Sequence, residues 1–142
     1  MIKSYIDAWK KCLQWRGRTR RRDYWFYILT DAIIAFLLIV LLGMPEWLEW
    51  GYENETGFYI FFFFLIYGYS LLSLLPTLAI TVRRLHDVNK PGWYFLIGAV
   101  PIIGNLWFLL LMCTKGTYGD NDFGSDPIEA VYYNPNNDPD FK

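Results

Sequence analysis

Three long apolar runs constrain this chain more than any other feature. Trp25 to Leu42 is 18 residues with one charge, Asp31; Phe58 to Ile80 is 23 residues with none; Trp93 to Cys113 is 21 residues with none. At about 1.5 Å of rise per residue, helices over these runs reach roughly 27 to 35 Å, enough to cross a hydrocarbon core of about 30 Å. Hydrocarbon offers the backbone no hydrogen-bond partner, so each run is expected to be helical. The expectation is an all-α integral membrane protein with three transmembrane helices, over residues 25–42, 58–80 and 93–113. Hydrophobic residues make up 54% of the chain and aromatics 20%. That excludes an ordinary soluble domain of this length, whose helices would show a polar face every few positions.

The net charge of −1 conceals an asymmetry. Residues 1–24 hold eight Lys or Arg, whereas residues 43–57 hold none and carry Glu46, Glu49, Glu53 and Glu55. The next loop, 81–92, holds Arg83, Arg84 and Lys90, and the stretch from Thr114 holds two lysines against six acids. Basic residues mark the cytoplasmic ends of short loops. The pattern therefore reads N-terminus inside, first loop outside, second loop inside and C-terminal tail in the periplasm, in a multi-pass bacterial inner-membrane protein. The first run reads as a signal anchor rather than a cleaved leader, because Gly43-Met44-Pro45-Glu46 is no small-x-small site. Tyr24, Trp25, Tyr27, Trp93 and Tyr94 fit the inner interface, and Trp47, Trp50, Tyr52 and Tyr59 the outer one.

Residues 1–15 form a separate element. Ile2, Tyr5, Ile6, Trp9, Cys12 and Leu13 recur at spacings of three and four, with Lys3, Asp7, Lys10, Lys11 and Gln14 between them. This predicts an N-terminal amphipathic helix lying in the interface plane, with packing against the chain's own helices as the alternative. Residues 16–127 form the membrane domain. Residues 128–142 are a polar tail, expected to be disordered because Asn134-Pro135-Asn136-Asn137-Asp138-Pro139-Asp140 is rich in turn formers.

Five polar features could carry function. Arg16, Arg18, Arg20, Arg21 and Arg22 crowd seven residues just before the first run. Such a cluster serves as a topology anchor or as a binding site for anionic membrane lipids; no nucleic-acid module accompanies it. Arg83-Arg84-Leu85-His86-Asp87 follows the second run, with Arg83 and Asp87 spaced to pair at i and i+4. His86, the only histidine, titrates near neutrality, but nothing near it completes a metal site. Asp31 lies about 9 Å into the first run, where a carboxylate needs a partner, expected among Arg83, Arg84 and His86. Pro76 should kink the second helix. Gly98, Pro101 and Asn105 share one face of the third, with Asn105 as an interhelical hydrogen bonder. Finally, Gly116 to Pro127 suggests a calcium loop, but from Asp120 the fifth position is Gly124 and the twelfth Val131, so the EF-hand pattern fails. Cys12 and Cys113 are expected at opposite faces. No catalytic constellation, metal site or cofactor motif is present in the sequence.

Together the motifs resemble a known family. Gly17-Arg18-Thr19-Arg20-Arg21 with Asp23-Tyr24-Trp25, then Arg83-Arg84-Leu85-His86-Asp87 with Gly92-Trp93, then Pro101-Ile102-Ile103-Gly104, then Gly116 with Asn121, Phe123-Gly124 and Asp126-Pro127, is similar to the small bacterial inner-membrane proteins of the domain-of-unknown-function 805 family. The resemblance runs from Tyr5 to Pro127; it departs at Asp122, where the family carries a basic residue, and at Pro91, where it carries a small polar one. It implies an inner-membrane location and a helical fold, and supplies no activity. Two function classes remain. One is a non-enzymatic component that binds lipid or protein, as a homo-oligomer or beside an envelope partner. The other is an oligomeric transport or proton-linked unit with Asp31, His86, Asp87 and Asn105 in an intramembrane polar site; an enzyme acting on lipids is a weaker third. One tension stands: the motifs after the second and third runs look like partners, yet the charge pattern puts them on opposite sides; the alternative is a C-terminus inside, with a re-entrant third run that breaks at Pro101 to Asn105 and lets Arg83, His86, Asp120 and Asp126 converge.

Overall fold

The computed structural model describes residues 1–47 and 55–128. Helix α1 covers Ile2–Lys10, α2 Arg21–Trp47 and α3 Glu55–Asp87; a 3₁₀ helix over Gly92–Ala99 and α4 over Ile103–Cys113 complete the order. No strand occurs among the described residues. The polar tail beyond Ile128 and the aromatics Trp50 and Tyr52 lie outside them.

Helices α2 and α3 form an antiparallel hairpin, because their cross-links run in opposite order. The Tyr27 hydroxyl meets Thr77 Oγ1 at 2.9 Å, and one turn further along α2 Asp31 accepts from Tyr69 at 2.5 Å. Both helices are long and apolar enough to cross a membrane, over Arg21–Leu41 and Tyr59–Asp87. Their middles are bare: Phe36 of α2 is 64% exposed and Leu71 of α3 73%. Exposed apolar surface on this scale suits a hydrocarbon surrounding. At 33 residues α3 extends about 50 Å, well beyond a core of about 30 Å. Pro76 sits inside it and the helix continues through.

Burial concentrates at one end. Ala8, Tyr24, Tyr27, Ile80, Leu85 and Met112 make one cluster there. Helix α1 is shorter than its apolar spacing allows, ending in a turn at Lys11. It packs on the hairpin: the Tyr5 ring stacks on Tyr27 at 5.6 Å, Ala8 is buried, and Ser4 Oγ donates to Asp23 at 3.2 Å. Ile2, Ile6 and Leu13 stay exposed.

The third apolar run is not one helix. The 3₁₀ segment spans about 16 Å and α4 about 16 Å, so neither crosses a bilayer alone. Pro101 has no N–H to continue a helix and bars α conformation at Val100, which is extended. Ile102 then takes a positive φ of 63°, which reverses the chain. Gly104 allows the reversal to close, since a Cβ there would stand 2.0 Å from the Ile97 carbonyl oxygen. Helix α4 returns to the end of α3, where the Met112 and Thr114 carbonyls accept from Arg84. The run expected as one helix over 93–113 is thus two shorter ones. That break also removes the reason for placing Cys12 and Cys113 on opposite faces; both are free thiols.

Candidate functional site

Asp87, the last residue of α3, organises the polar end of the molecule. Its side chain is 5% exposed and takes two guanidinium partners that are more enclosed still: Arg18 at 1%, with Nη2 and Oδ1 3.1 Å apart, and Arg84 at 0%, through Nη1 to Oδ2. The anticipated i, i+4 pair with Arg83 does not form, because Arg84, one position on, points at the same carboxylate. Arg18 also donates to the carbonyls of Thr117 (2.5 Å) and Gly119 (2.6 Å). Charged donors spread over several acceptors offset the desolvation that makes buried ion pairs costly. Gly116 is required here, since a Cβ would fall 2.2 Å from Asp87 Oδ2. The Thr117 N–H donates to the Asp87 carbonyl at 2.8 Å, which lays the tail across the end of α3.

His86 lies on the same surface. Its ring stacks on Phe123 at 4.2 Å with planes 4° apart, and its Nδ1 is 3.2 Å from the Gly17 carbonyl. Asn121 donates to the His86 carbonyl at 2.9 Å. In the Asp-rich turn, Asp126 accepts from the Gly119 and Ile128 N–H groups, and Asp120 from that of Asp126. These carboxylates thus fold the turn. The two motifs expected on opposite sides are therefore in direct contact, and with them the tail and the Gly17–Arg20 segment, where the Thr19 N–H donates to the Arg83 carbonyl at 3.0 Å. Residues 117–119 lie against Arg18 of the N-terminal segment.

Beside this cap, α1, the arginine segment and the end of α3 line a half-open cavity of about 490 Å³. Its walls carry Lys3, Lys11, Arg18, Arg20, Arg22 and Arg83 against Asp7 and Asp23, six cations to two anions, with Arg18 also paired to Asp87 behind the wall. Arg20 pairs with Asp23 at 3.1 Å. Arg83 is 6% exposed, and its Nε donates to the Ala79 carbonyl at 3.1 Å. No carboxylate pairs with it among the described residues.

The remaining candidates are dispersed. Arg16 and Arg21 are exposed and do not line the cavity. Asp31 accepts from Tyr69, whose hydroxyl also lies 3.2 Å from that of Tyr5. Its expected basic partners begin 14 residues further along α3, about 21 Å away, and all three are engaged elsewhere. Asn105 is exposed on α4, facing Gly98. So Asp31, His86 with Asp87, and Asn105 occupy three separate places. Sequence reasoning missed Tyr69, Thr117 and the cavity roles of Lys3 and Lys11. The basic polar face of α1 was the available signal for the two lysines; Tyr69 and Thr117 left none.

The family described as Protein of unknown function (DUF805) matches residues 12–125. The chain is 37% identical to Inner membrane protein YhaH of Escherichia coli K12 over 123 residues, which cover 87% of this chain and 94% of the relative. It is 36% identical to Inner membrane protein YhaI of the same strain over 126 residues, 87% of this chain and 93% of the relative. Uncharacterized protein YiiR, also of that strain, is 26% identical over 153 residues, 89% and 93% of the two chains. No solved structure matches significantly.

Proposed function

This chain belongs to the DUF805 family, and on that premise we propose that it is a non-enzymatic bacterial inner-membrane protein whose basic end binds anionic lipids. In this reading the α2–α3 hairpin crosses the bilayer twice. The 3₁₀ segment and α4 enter and leave from one side. Helix α1 lies against the hairpin at that interface, with Ile2, Ile6 and Leu13 toward the acyl chains. The polar end faces the cytoplasm, together with both the N-terminal segment and the tail. Support comes from the concentration of Lys and Arg there and from the acidic, Lys- and Arg-free sequence 43–57.

The observation that carries the reading is the six-to-two excess of cations around one cavity, placed where the hairpin leaves its apolar stretch. Clusters of this kind beside a span attract anionic headgroups at about 1 kcal/mol per basic residue. A proton or ion path is disfavoured, because Asp31, His86 and Asn105 stand apart and Asp31 is held by Tyr69. The test is thermal unfolding in nanodiscs of pure phosphatidylcholine and of mixtures with phosphatidylglycerol. A ligand at about 100 times its Kd stabilises by about 2.7 kcal/mol, so the midpoint should rise with phosphatidylglycerol content. Equal midpoints in both lipids would reject the reading.

A further inference from the structure

The arginines at the polar end are not equivalent. Arg18 and Arg84 share Asp87, and Arg20 holds Asp23. Arg83 is deeply set and lines the cavity, yet no carboxylate answers it among the described residues. Arg83 holds no buried nitrogen without a partner, so its Nη groups reach the water of the cavity, where an anion could replace that water. Its Nε is committed to the Ala79 carbonyl, which leaves the Nη groups as its free donors. The fork of a guanidinium matches the oxygens of a phosphate.

The cavity around it has the size of a small-molecule site, about 490 Å³ within a usual range of about 300 to 1,000 Å³. Lys3 of α1 and Lys11 just after it also line the cavity, with Ser4, whose hydroxyl is given to Asp23, and Thr19. Phe26 and Ile80 add apolar surface from the two long helices. Cations beside an apolar side in one half-open cavity fit a phosphate esterified to something less polar.

We infer that this cavity is a single-occupancy phosphate site, with Arg83 as the recognising group and the wall lysines as auxiliary cations. The inference deepens the lipid-binding reading: it turns a diffuse basic surface into one stoichiometric site. Phosphate is the shared chemistry, whether carried by a glycerophospholipid headgroup or free in solution.

Native mass spectrometry of the full chain in mild detergent tests it, with phosphatidylglycerol, phosphatidylcholine, glycerol 3-phosphate and inorganic phosphate as separate probes. One phosphatidylglycerol per chain should survive activation that strips the others. Arg83→Gln should weaken that retention roughly 30-fold, the loss expected when one partner of a buried charge pair is removed. Lys3→Gln with Lys11→Gln, two exposed positions that the fold tolerates, should weaken it several-fold and covers the case in which Arg83→Gln does not fold. Lys115→Gln, exposed and remote from the cavity lining, should leave it unchanged. Retention at wild-type strength in folded Arg83→Gln, or in the double lysine variant, overturns the inference.

The two proposals fail separately. Stabilisation by phosphatidylglycerol without a single retained lipid or any effect of Arg83→Gln removes the discrete site and leaves the surface reading. Binding of inorganic phosphate or glycerol 3-phosphate through Arg83, with no preference among lipids, supports the site as one for free phosphate and rejects the lipid reading.

Discussion

Asp87 shows how one carboxylate can decide the structure of a whole end of a protein. It is the shared counter-charge of two enclosed guanidinium groups, from Arg18 and Arg84, that arrive from segments far apart in the chain. Asp87→Asn leaves both charges buried without a counter-charge, and breaking such a pair costs about 3–5 kcal/mol. The expected result is a large drop in the thermal midpoint of the detergent-solubilised protein, with faster proteolysis after Thr114. An unchanged midpoint would show that the carbonyl contacts alone hold the arginines. Asp31 is a milder case. Hydrogen bonds between helices in a membrane average about 0.6 kcal/mol and reach about 1.7. Tyr69→Phe removes the donor to Asp31 and the link to Tyr5, and is expected to cost about 1 kcal/mol. Asp31→Asn should change stability by a similar amount and leave ion flux in proteoliposomes at background. Flux in the wild type that vanishes with Asp31→Asn would restore the transport reading. Asp31's need for a partner was legible in the sequence. The identity of that partner was not, because it depends on which residue of α3 lies opposite in the hairpin.

At the level of elements, the third apolar run separates what patterning can and cannot decide. Length and hydropathy argued for a crossing helix, and every residue of the run is compatible with one except Pro101. The break depends on a backbone contact instead. Gly104 lies so close to the Ile97 carbonyl that any Cβ would overlap it. Gly104→Ala should therefore push α4 from the 3₁₀ segment and cost about 1–3 kcal/mol, as overpacking does. Gly68→Ala is the comparison. Gly68 lies in α3, and a Cβ added there would meet nothing within 4 Å, so alanine should be neutral or stabilising by up to about 1 kcal/mol through helix propensity. Equal effects of the two substitutions in thermal unfolding would remove the close approach as the cause of the reversal. Helix α1 was readable in type and face, since its apolar residues recur at helical spacing. Its end at Lys10, short of the apolar pattern, follows from where the turn at Lys11 must lead the chain into the arginine segment.

For the whole molecule, the consequence is that the buried ion pairs, the Asp-rich turn and the basic cavity gather at one end. Compartment-sensitive reporters fused before Met1 and after Lys142 should report the same side of the membrane. Reporters on opposite sides would mean that the 3₁₀ segment and α4 cross after all, and the contact between Arg18 and the tail could not exist. The sequence by itself determined the helical class, the apolar runs and the basic end of the molecule. These are sums over neighbouring residues, and hydrocarbon and membrane charge act on such sums directly. Only the tertiary structure decided that the third run turns back, that Asp87 takes Arg18 and Arg84, and that Arg83 is left facing a cavity. Those outcomes rest on Arg84 reaching carbonyls 28 and 30 residues away and Arg18 reaching a carboxylate 69 residues away. Pairings at that separation are chosen by which surfaces the packed helices bring together, and no local pattern encodes them.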